Sequence, residues 1–281
     1  MKEPCPGTEI EQYLKDYQRF GFLDIETVER VQRGTNIPKS HSKFFYKIAF
    51  RDNDSRPGNI LLDVLYEDSH YNQVIQVPIE SPFIELEDKP MFVTIPSVND
   101  ILGDKLTAFA PNTSGIPYRK GTNDCNLEII KQLYDIGRLF DSMDDLLTVT
   151  KTYEKIAKVE LSYRKMEENP KLSLKDTIET ALCISTRGKE GKGDFTALQN
   201  GVSRLRSFMY LGKYQIEQAI VDASKAAYLA RLIQTSANTF ERYDNSIQSS
   251  GSLVESLPKR LSKLRIPSPE AYYYWVKTGE L

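Results

Sequence analysis

At 281 residues, with 40% hydrophobic and 27% charged side chains, the chain has the composition of a folded protein with material for a sizeable core and two subdomains. A formal net charge of −2 excludes a protein that wraps nucleic acid by bulk electrostatics, leaving at most a local basic groove for an RNA end. No apolar run approaches the ~20 residues of a membrane span, and the opening MKEPCPGTEIEQ lacks the charged-then-apolar order of a signal peptide, so no membrane is involved and the cytoplasm is the expected compartment.

Taken from the start, Ile10, Tyr13, Leu14 and Tyr17 fall at helical spacing and predict a helix from Thr8 to about Phe22, stopping near Gly21. A second helix is predicted over Ile25 to Arg33. The period then changes. Phe44, Tyr46, Ile48 and Phe50 alternate, the polar turn DNDSRPG follows, and Ile60, Leu62, Val64 and Tyr66 alternate again, which predicts a β-hairpin. Asp63 falls on the other face of the second strand, between Leu61 and Leu65. The plain explanation is an edge-strand aspartate pointing to water; a strand apolar on both faces argues instead for a carboxylate with a chemical task. Short strands are predicted around Gln73–Ile79 and Phe92–Ile95, with Pro78, Pro82 and Pro96 confining them to edges or ends.

Ser97 can cap a helix with Asp100 three residues later; Ile101, Leu102, Leu106 and Phe109 give it an apolar face, and Pro111 stops it. Lys105 sits one turn after Ile101. The loop PNTSGIPYRKGTND is long and punctuated by Pro111, Gly115, Pro117 and Gly121. It is expected to lie ordered against the core and to offer Asn112, Thr113 or Tyr118 to a substrate wall, the alternative being an ordinary mobile connection. The next helix places Ile129, Leu133, Ile136 and Phe140 on one face and Lys131, Asp135 and Arg138 on another. On periodicity alone, these helix charges are solvated or paired with each other.

Beyond Asp141 the pattern is helical: Asp144 to about Glu168, Leu172 to Ile184, Phe195 to Leu211 and Tyr214 to about Thr235, with links short enough for an antiparallel bundle. The alanine-rich IEQAIVDASKAAYLARLI is the expected central helix. The connector RGKEGKGD has the glycines and lysines of a phosphate loop. It lacks the Gly-Lys-Ser/Thr ending and follows a helix, so a flexible surface loop is expected. Asn245–Ser252 reads as a linker, and SPEAYYYWVK as a short aromatic helix that plugs the bundle or meets a partner. Cys5, Cys125 and Cys183 fit neither a disulfide framework nor a zinc knuckle, and His41 and His70 lie in polar stretches without ligand spacing. Any chemistry therefore falls to carboxylates and lysines, with a hard cation such as Mg²⁺ as the natural companion of Asp oxygens.

The run ILGDKLTAFAPNTSGIPY, followed by EIIKQLYDIGRLFD, resembles the third and fourth motifs of the AbiEii/AbiGii-type nucleotidyltransferases, the toxin family of abortive-infection and toxin–antitoxin systems. The acid-Lys-Leu-x-Ala helix of the third motif is matched by Asp104, Lys105, Leu106 and Ala108. In the fourth, which resembles Arg-Asp-x-x-Asp, Lys131 and Gln132 replace the first two residues and Asp135 is kept. The strand ILLDVLYED resembles the family strand carrying the third catalytic carboxylate, here Asp63. The Gly-Gly-Thr turn and Asp-x-Asp pair that open the family's fold do not precede Asp63; Arg33-Gly34-Thr35 and Asp52-x-Asp54 sit in loop-like surroundings. The chain thus looks like a member lacking that N-terminal segment.

The resemblance implies an α+β fold: a partial nucleotidyltransferase-like mixed sheet with flanking helices over residues 1–110, then a C-terminal helical bundle over 111–281. It implies transfer of a nucleoside monophosphate from a nucleoside triphosphate to an acceptor hydroxyl, in some members that of an RNA end. Catalysis would rest on Asp63, Lys105 and Asp135. Substrate contacts would come from Asp104, Lys131, Asn112, Thr113 and Tyr118, with Asp63 on Mg²⁺. An antitoxin is the implied partner, and an exposed sheet edge would favour self-association into a homo-oligomer. With two of three metal-holding carboxylates missing, the chain by itself is expected to be inactive. The alternative is a non-catalytic interaction module whose helical lobe binds an antitoxin or another chain.

Overall fold

The computed structural model describes residues 15–29, 39–47, 57–65, 68–83, 89–210, 212–244 and 253–281. The chain divides into two compact units, Met1–Ser69 and His70–Leu281. In the first, strands β1 (Asp24–Glu29), β2 (Lys39–Tyr46) and β3 (Gly58–Leu65) form an antiparallel sheet in that order. The hairpin expected from the alternating runs is present as β2 and β3, with Tyr46 opposite Gly58. The helix expected over Ile25 to Arg33 is not: Asp24–Glu29 is a strand, with Ile25 opposite Phe44 and Val28 opposite His41. Ile25, Thr27 and Val28 are β-branched and fit a pleated surface, and the free side of β2 supplies the backbone partners that outweigh a weak helical period. Of the helix expected over Thr8 to Phe22, residues 8–14 lie outside the described residues; the remainder closes as a 3₁₀ turn, Tyr17–Phe20, ending at Gly21.

The second unit opens with a two-stranded antiparallel sheet, β4 (Val74–Pro78) and β5 (Phe92–Pro96), each ending at a proline as the sequence suggests. Among the described residues seven α-helices follow: α1 (Val98–Ala108), α2 (Asn126–Ser142), α3 (Leu146–Tyr163), α4 (Pro170–Ser185), α5 (Phe195–Leu205), α6 (Ile216–Gln234) and α7 (Pro269–Glu280). Their starts are written in the sequence. Ser97, Asp145, Asn169 and Asp194 each accept from a first-turn amide of α1, α3, α4 and α5, satisfying donors that no helical carbonyl can reach. The mixed α+β architecture is the one expected. No helix among the described residues is long and apolar enough to cross a membrane. The linker expected at Asn245–Ser252 lies outside the described residues.

The bundle core is formed by Leu102, Leu106 and Phe109, by Ile129, Leu133, Ile136 and Phe140, and by the alanine face of α6, all without solvent exposure. As expected, α6 is central: it packs against α2, α4, α5 and α7. Its approach to α2 is so close that a Cβ at Gly137 would lie 2.0 Å from Asp222 Oδ1. Asp222 is fully buried; Arg138 Nη2 donates to its Oδ1 (2.9 Å) and the Tyr214 hydroxyl to its Oδ2 (2.9 Å). The third stripe residue of α2, Arg138, is therefore tied to the core. The connector after α4 is no loose loop. The Thr186 hydroxyl accepts from the Glu190 amide, and a Cβ at Gly191 would strike the Glu179 carbonyl, so it is folded back on α4.

The aromatic tail plugs the bundle. Trp275 is fully buried and its Nε1 donates to Ser185 Oγ at 3.0 Å. Trp275→Ala is expected to lower the unfolding free energy by about 3–5 kcal/mol in urea titrations followed by far-UV circular dichroism; a loss below about 1 kcal/mol would show that α7 docks without joining the core. Asp222 generates a pH prediction. Burial pushes its carboxyl up to about 6, against the pull of Arg138, Tyr214 and Lys225. The folded chain thus keeps a proton that the unfolded chain releases near 3.8. The stabilising contribution of this proton is complete below that value and is lost as pH rises through about 6, by up to ~3 kcal/mol. Urea titrations across that window should show this falling component in the native chain and not in Asp222→Asn; parallel profiles would refute it.

Candidate functional site

α1 is positioned at its first turn. Asp100, fully buried, accepts from Ser97 Oγ (2.6 Å), Asn72 N (2.7 Å), Gln73 N (3.1 Å), Asn72 Nδ2 (3.2 Å) and the Thr152 hydroxyl of α3. Burial alone would raise its carboxyl; the bonds from Ser97, Thr152, Asn72 and Gln73 outweigh it and hold the group below the usual carboxylate range. Asn72 also donates to Thr152 Oγ1 (2.6 Å) and accepts from Lys155 Nζ (2.7 Å). The segment before β4 is thereby fastened to α1 and α3 at once.

One turn on, Asp104 and Lys105 leave α1 side by side. Asp104 accepts from the Tyr71 hydroxyl at 2.9 Å. Burial lifts its carboxyl above the ordinary value, with the Tyr71 bond and the Lys105 charge pulling the other way. Lys105 reaches across to α2, where its Nζ lies 2.9 Å from Asp135 Oδ2, and the two side chains keep 31% and 39% of their surface exposed. The structure thus brings Lys105, Asp135 and Asp104 together. It pairs Asp135 with Lys105, whereas the sequence also left Lys131 open as its partner. Lys131, one turn before Asp135, lies over the ring of Phe208 (4.5 Å to the centroid). Phe208 and Tyr210 are exposed, and Tyr210 meets Phe83 edge-on at 4.5 Å.

The loop between α1 and α2 is ordered and carries a small ladder, β6 (Arg119–Lys120) with β7 (Asn123–Asp124). Its polar groups are engaged in holding it. Asn112 donates from N (2.8 Å) and Nδ2 (2.6 Å), and Thr113 from Oγ1 (3.0 Å), all to Asp176 on α4. The Arg164 guanidinium caps the carbonyls of Thr113 and Ser114. The Tyr118 hydroxyl accepts from the Asp194 amide at 3.2 Å at the start of α5, and burial pushes it up to about 12. These three residues therefore anchor the loop to the helical bundle.

Asp63 belongs to the first unit. It is exposed on β3, opposite His41 in the ladder, and Leu61, Leu62 and Leu65 beside it are exposed too. Among the described residues no group of three or more His, Cys, Asp or Glu side chains is placed to hold a metal ion. The carboxylates beside Lys105 are turned to Tyr71 and to Lys105 itself, which is not the donor set of a dedicated magnesium cage. Tyr71 and the buried role of Asp100 escaped the sequence reading. The only signal was a tyrosine and an asparagine in the turn-like DSHYNQ.

Chemically, the arrangement presents one partly exposed ammonium paired with a partly exposed carboxylate, on a surface flanked by a second lysine and exposed rings. Such a surface suits an anionic, ring-bearing ligand. No curated protein and no solved structure matches the chain. A family model does: that of the nucleotidyl transferase AbiEii toxin of type IV toxin–antitoxin systems matches residues 8–205, a span that takes in β1 to β7 and α1 to α5. With well over half of its length covered by that model, the chain belongs to the AbiEii nucleotidyl transferase toxin family.

Proposed function

We propose that the α1–α2 face is the triphosphate side of a nucleotidyl-transfer site, and that Lys105 is its principal cation. The observation that carries this is the Lys105–Asp135 contact at 2.9 Å between two side chains that keep about a third of their surface exposed, on the two helices whose sequences resemble the family's third and fourth motifs. In the reaction, an acceptor hydroxyl bonds to the α-phosphorus of a nucleoside triphosphate, the bond to the bridging oxygen of the β-phosphate breaks, and pyrophosphate leaves. Lys105 would neutralise charge moving onto the leaving group, while Asp135 holds it aimed until substrate arrives. Asp104 and Lys131 are assigned to substrate contacts beside it, and the loop carrying Asn112, Thr113 and Tyr118 to the wall. Asp63 is assigned the acceptor's proton. Magnesium would come with the triphosphate, since it takes one or two carboxylates plus phosphate oxygens rather than a full protein cage.

Because no Gly-Gly-Thr turn precedes Asp63 and the Asp-x-Asp at Asp52 and Asp54 falls in a polar, turn-like stretch of the sequence, this chain by itself is proposed to bind nucleoside triphosphate weakly and to transfer nothing. The second reading, an interaction module for an antitoxin or for another copy of the chain, is favoured by one observation: Val74, Met91 and Phe92 lie 60–70% exposed on and beside the β4–β5 sheet.

Titration of the chain with a nucleoside triphosphate and Mg²⁺ by calorimetry tests the site. Lys105→Ala should weaken the residual affinity by about tenfold or more, the worth of a hydrogen bond to a charged group. Equal affinity in the two proteins would remove Lys105 from the site. Incubation with labelled triphosphates and total RNA should give no labelling; magnesium-dependent labelling abolished by Asp63→Ala would overturn the proposed inactivity.

A further inference from the structure

The second unit holds a cavity of about 230 Å³ where the end of α4, the start of α6, the 3₁₀ turn Lys259–Leu264 and the start of α7 converge. None of its lining residues is on α1 or α2. Seven of the ten lie beyond residue 205, outside the span shared with the family. The rim carries three cations, Arg187, Arg260 and Lys263, against one carboxylate, Glu217, in a chain whose formal charge is −2. Arg187 Nη2 lies 3.0 Å from Glu217 Oε1, and Arg260 Nε lies 3.5 Å from Glu190 Oε1. Each guanidinium keeps further donors, and exposed pairs of this kind are weak enough to be exchanged. The Lys263 side chain makes no hydrogen bond or ion pair among the described residues.

Arg187 adopts a left-handed φ of 54°, costly for a residue with a side chain, at the point where the chain leaves α4. Ser268, which also lines the cavity, stands at the start of α7 without capping it, so its hydroxyl is not spent on the helix. Below this rim Ile220, Leu264 and Pro267 give the cavity an apolar floor.

We propose that this cavity binds a small organic phosphate monoester: its dianionic head among Lys263, Arg260, Arg187 and Ser268, its carrier on the apolar floor. A dianion is needed because the ligand must compete with Glu217 for Arg187. A cavity of this size takes a phosphate and a short carrier and excludes a polynucleotide. The inference does not rest on the proposed nucleotidyl transfer.

Calorimetric titration of the full chain with phenyl phosphate, inorganic phosphate and phenol is the test. Phenyl phosphate should bind, inorganic phosphate should bind more weakly for want of the floor contact, and phenol should not bind. Lys263→Glu, at an exposed position and checked for folding by circular dichroism, should weaken phenyl phosphate by about tenfold or more. Arg260→Gln should weaken it in the same direction. Glu217→Gln should tighten it by removing the competing carboxylate. No binding to the native chain, undiminished binding to both Lys263→Glu and Arg260→Gln, or weaker binding to Glu217→Gln would each overturn the proposal.

Discussion

The constraint on which the site depends is the fully buried carboxylate of Asp100. An ionised group without solvent is tolerated only where hydrogen bonds replace its hydration. Here the replacements come from three directions: Ser97 at the start of α1, the Asn72–Gln73 segment ahead of β4, and Thr152 on α3. Removing one donor would leave the charge under-satisfied, at roughly 1–3 kcal/mol, so the three pieces are held as one body. That body fixes where α1 begins and how it is rotated. Five residues on, Lys105 therefore faces α2 and Asp135, and Asp104 faces Tyr71.

A second buried carboxylate organises the other side of α2. Asp222 fills the space left by the missing side chain of Gly137 and binds Arg138 and Tyr214, so α2 is fixed against the central helix by polar contacts as well as by its apolar face. Its environment differs from that of Asp100. Asp100 collects enough donors to stay ionised, whereas burial prevails at Asp222 and its carboxyl titrates higher. α2 is thus held at Asp222 on one side and meets α1 on another. The Lys105–Asp135 geometry follows from both anchors.

Much of this was legible in the sequence and some was not, for identifiable reasons. Helices announced themselves because Ile129, Leu133, Ile136 and Phe140 repeat at 3.6 residues and because Ser97 is a side chain that caps; Asp145, Asn169 and Asp194 cap in the same way but are not singled out by the sequence reading. The β2–β3 hairpin and the α+β class followed from period-two runs beside helical ones. β1 was misread as a helix since its pairing with β2 is a tertiary fact: Ile25, Thr27 and Val28 only suggest a strand once the partner is known. Lys105 and Asp135 could be singled out from motif resemblance, yet nothing in the spacing reveals that Asp135 takes Lys105 as its partner. Asn112 and Thr113 stand out as substrate-wall candidates because they lie in a long polar loop; that their polar atoms also converge on Asp176, 64 and 63 residues away, is visible only in the folded chain.

Two lysines of the second unit show how exposure, more than contact, separates an exchangeable charge from a fixed one. Lys225 is 4% exposed and lies 2.8 Å from Asp141 and 2.9 Å from Glu270, joining α6 to α2 and α7. Opening that arrangement would strand a buried ammonium, which costs about 3–5 kcal/mol, so it is a fixed joint. Lys105 makes a contact of the same length with Asp135, but both side chains keep about a third of their surface in water. An exposed pair of this kind is worth roughly 0–1 kcal/mol. Asp135 can therefore hold the ammonium in one direction without holding it back, and a polyanion with several oxygens to offer would displace the carboxylate at little cost. A pair this weak adds little to the stability of the fold, so the position of Lys105 rests on the anchors of α1 and α2 and not on the ion pair itself.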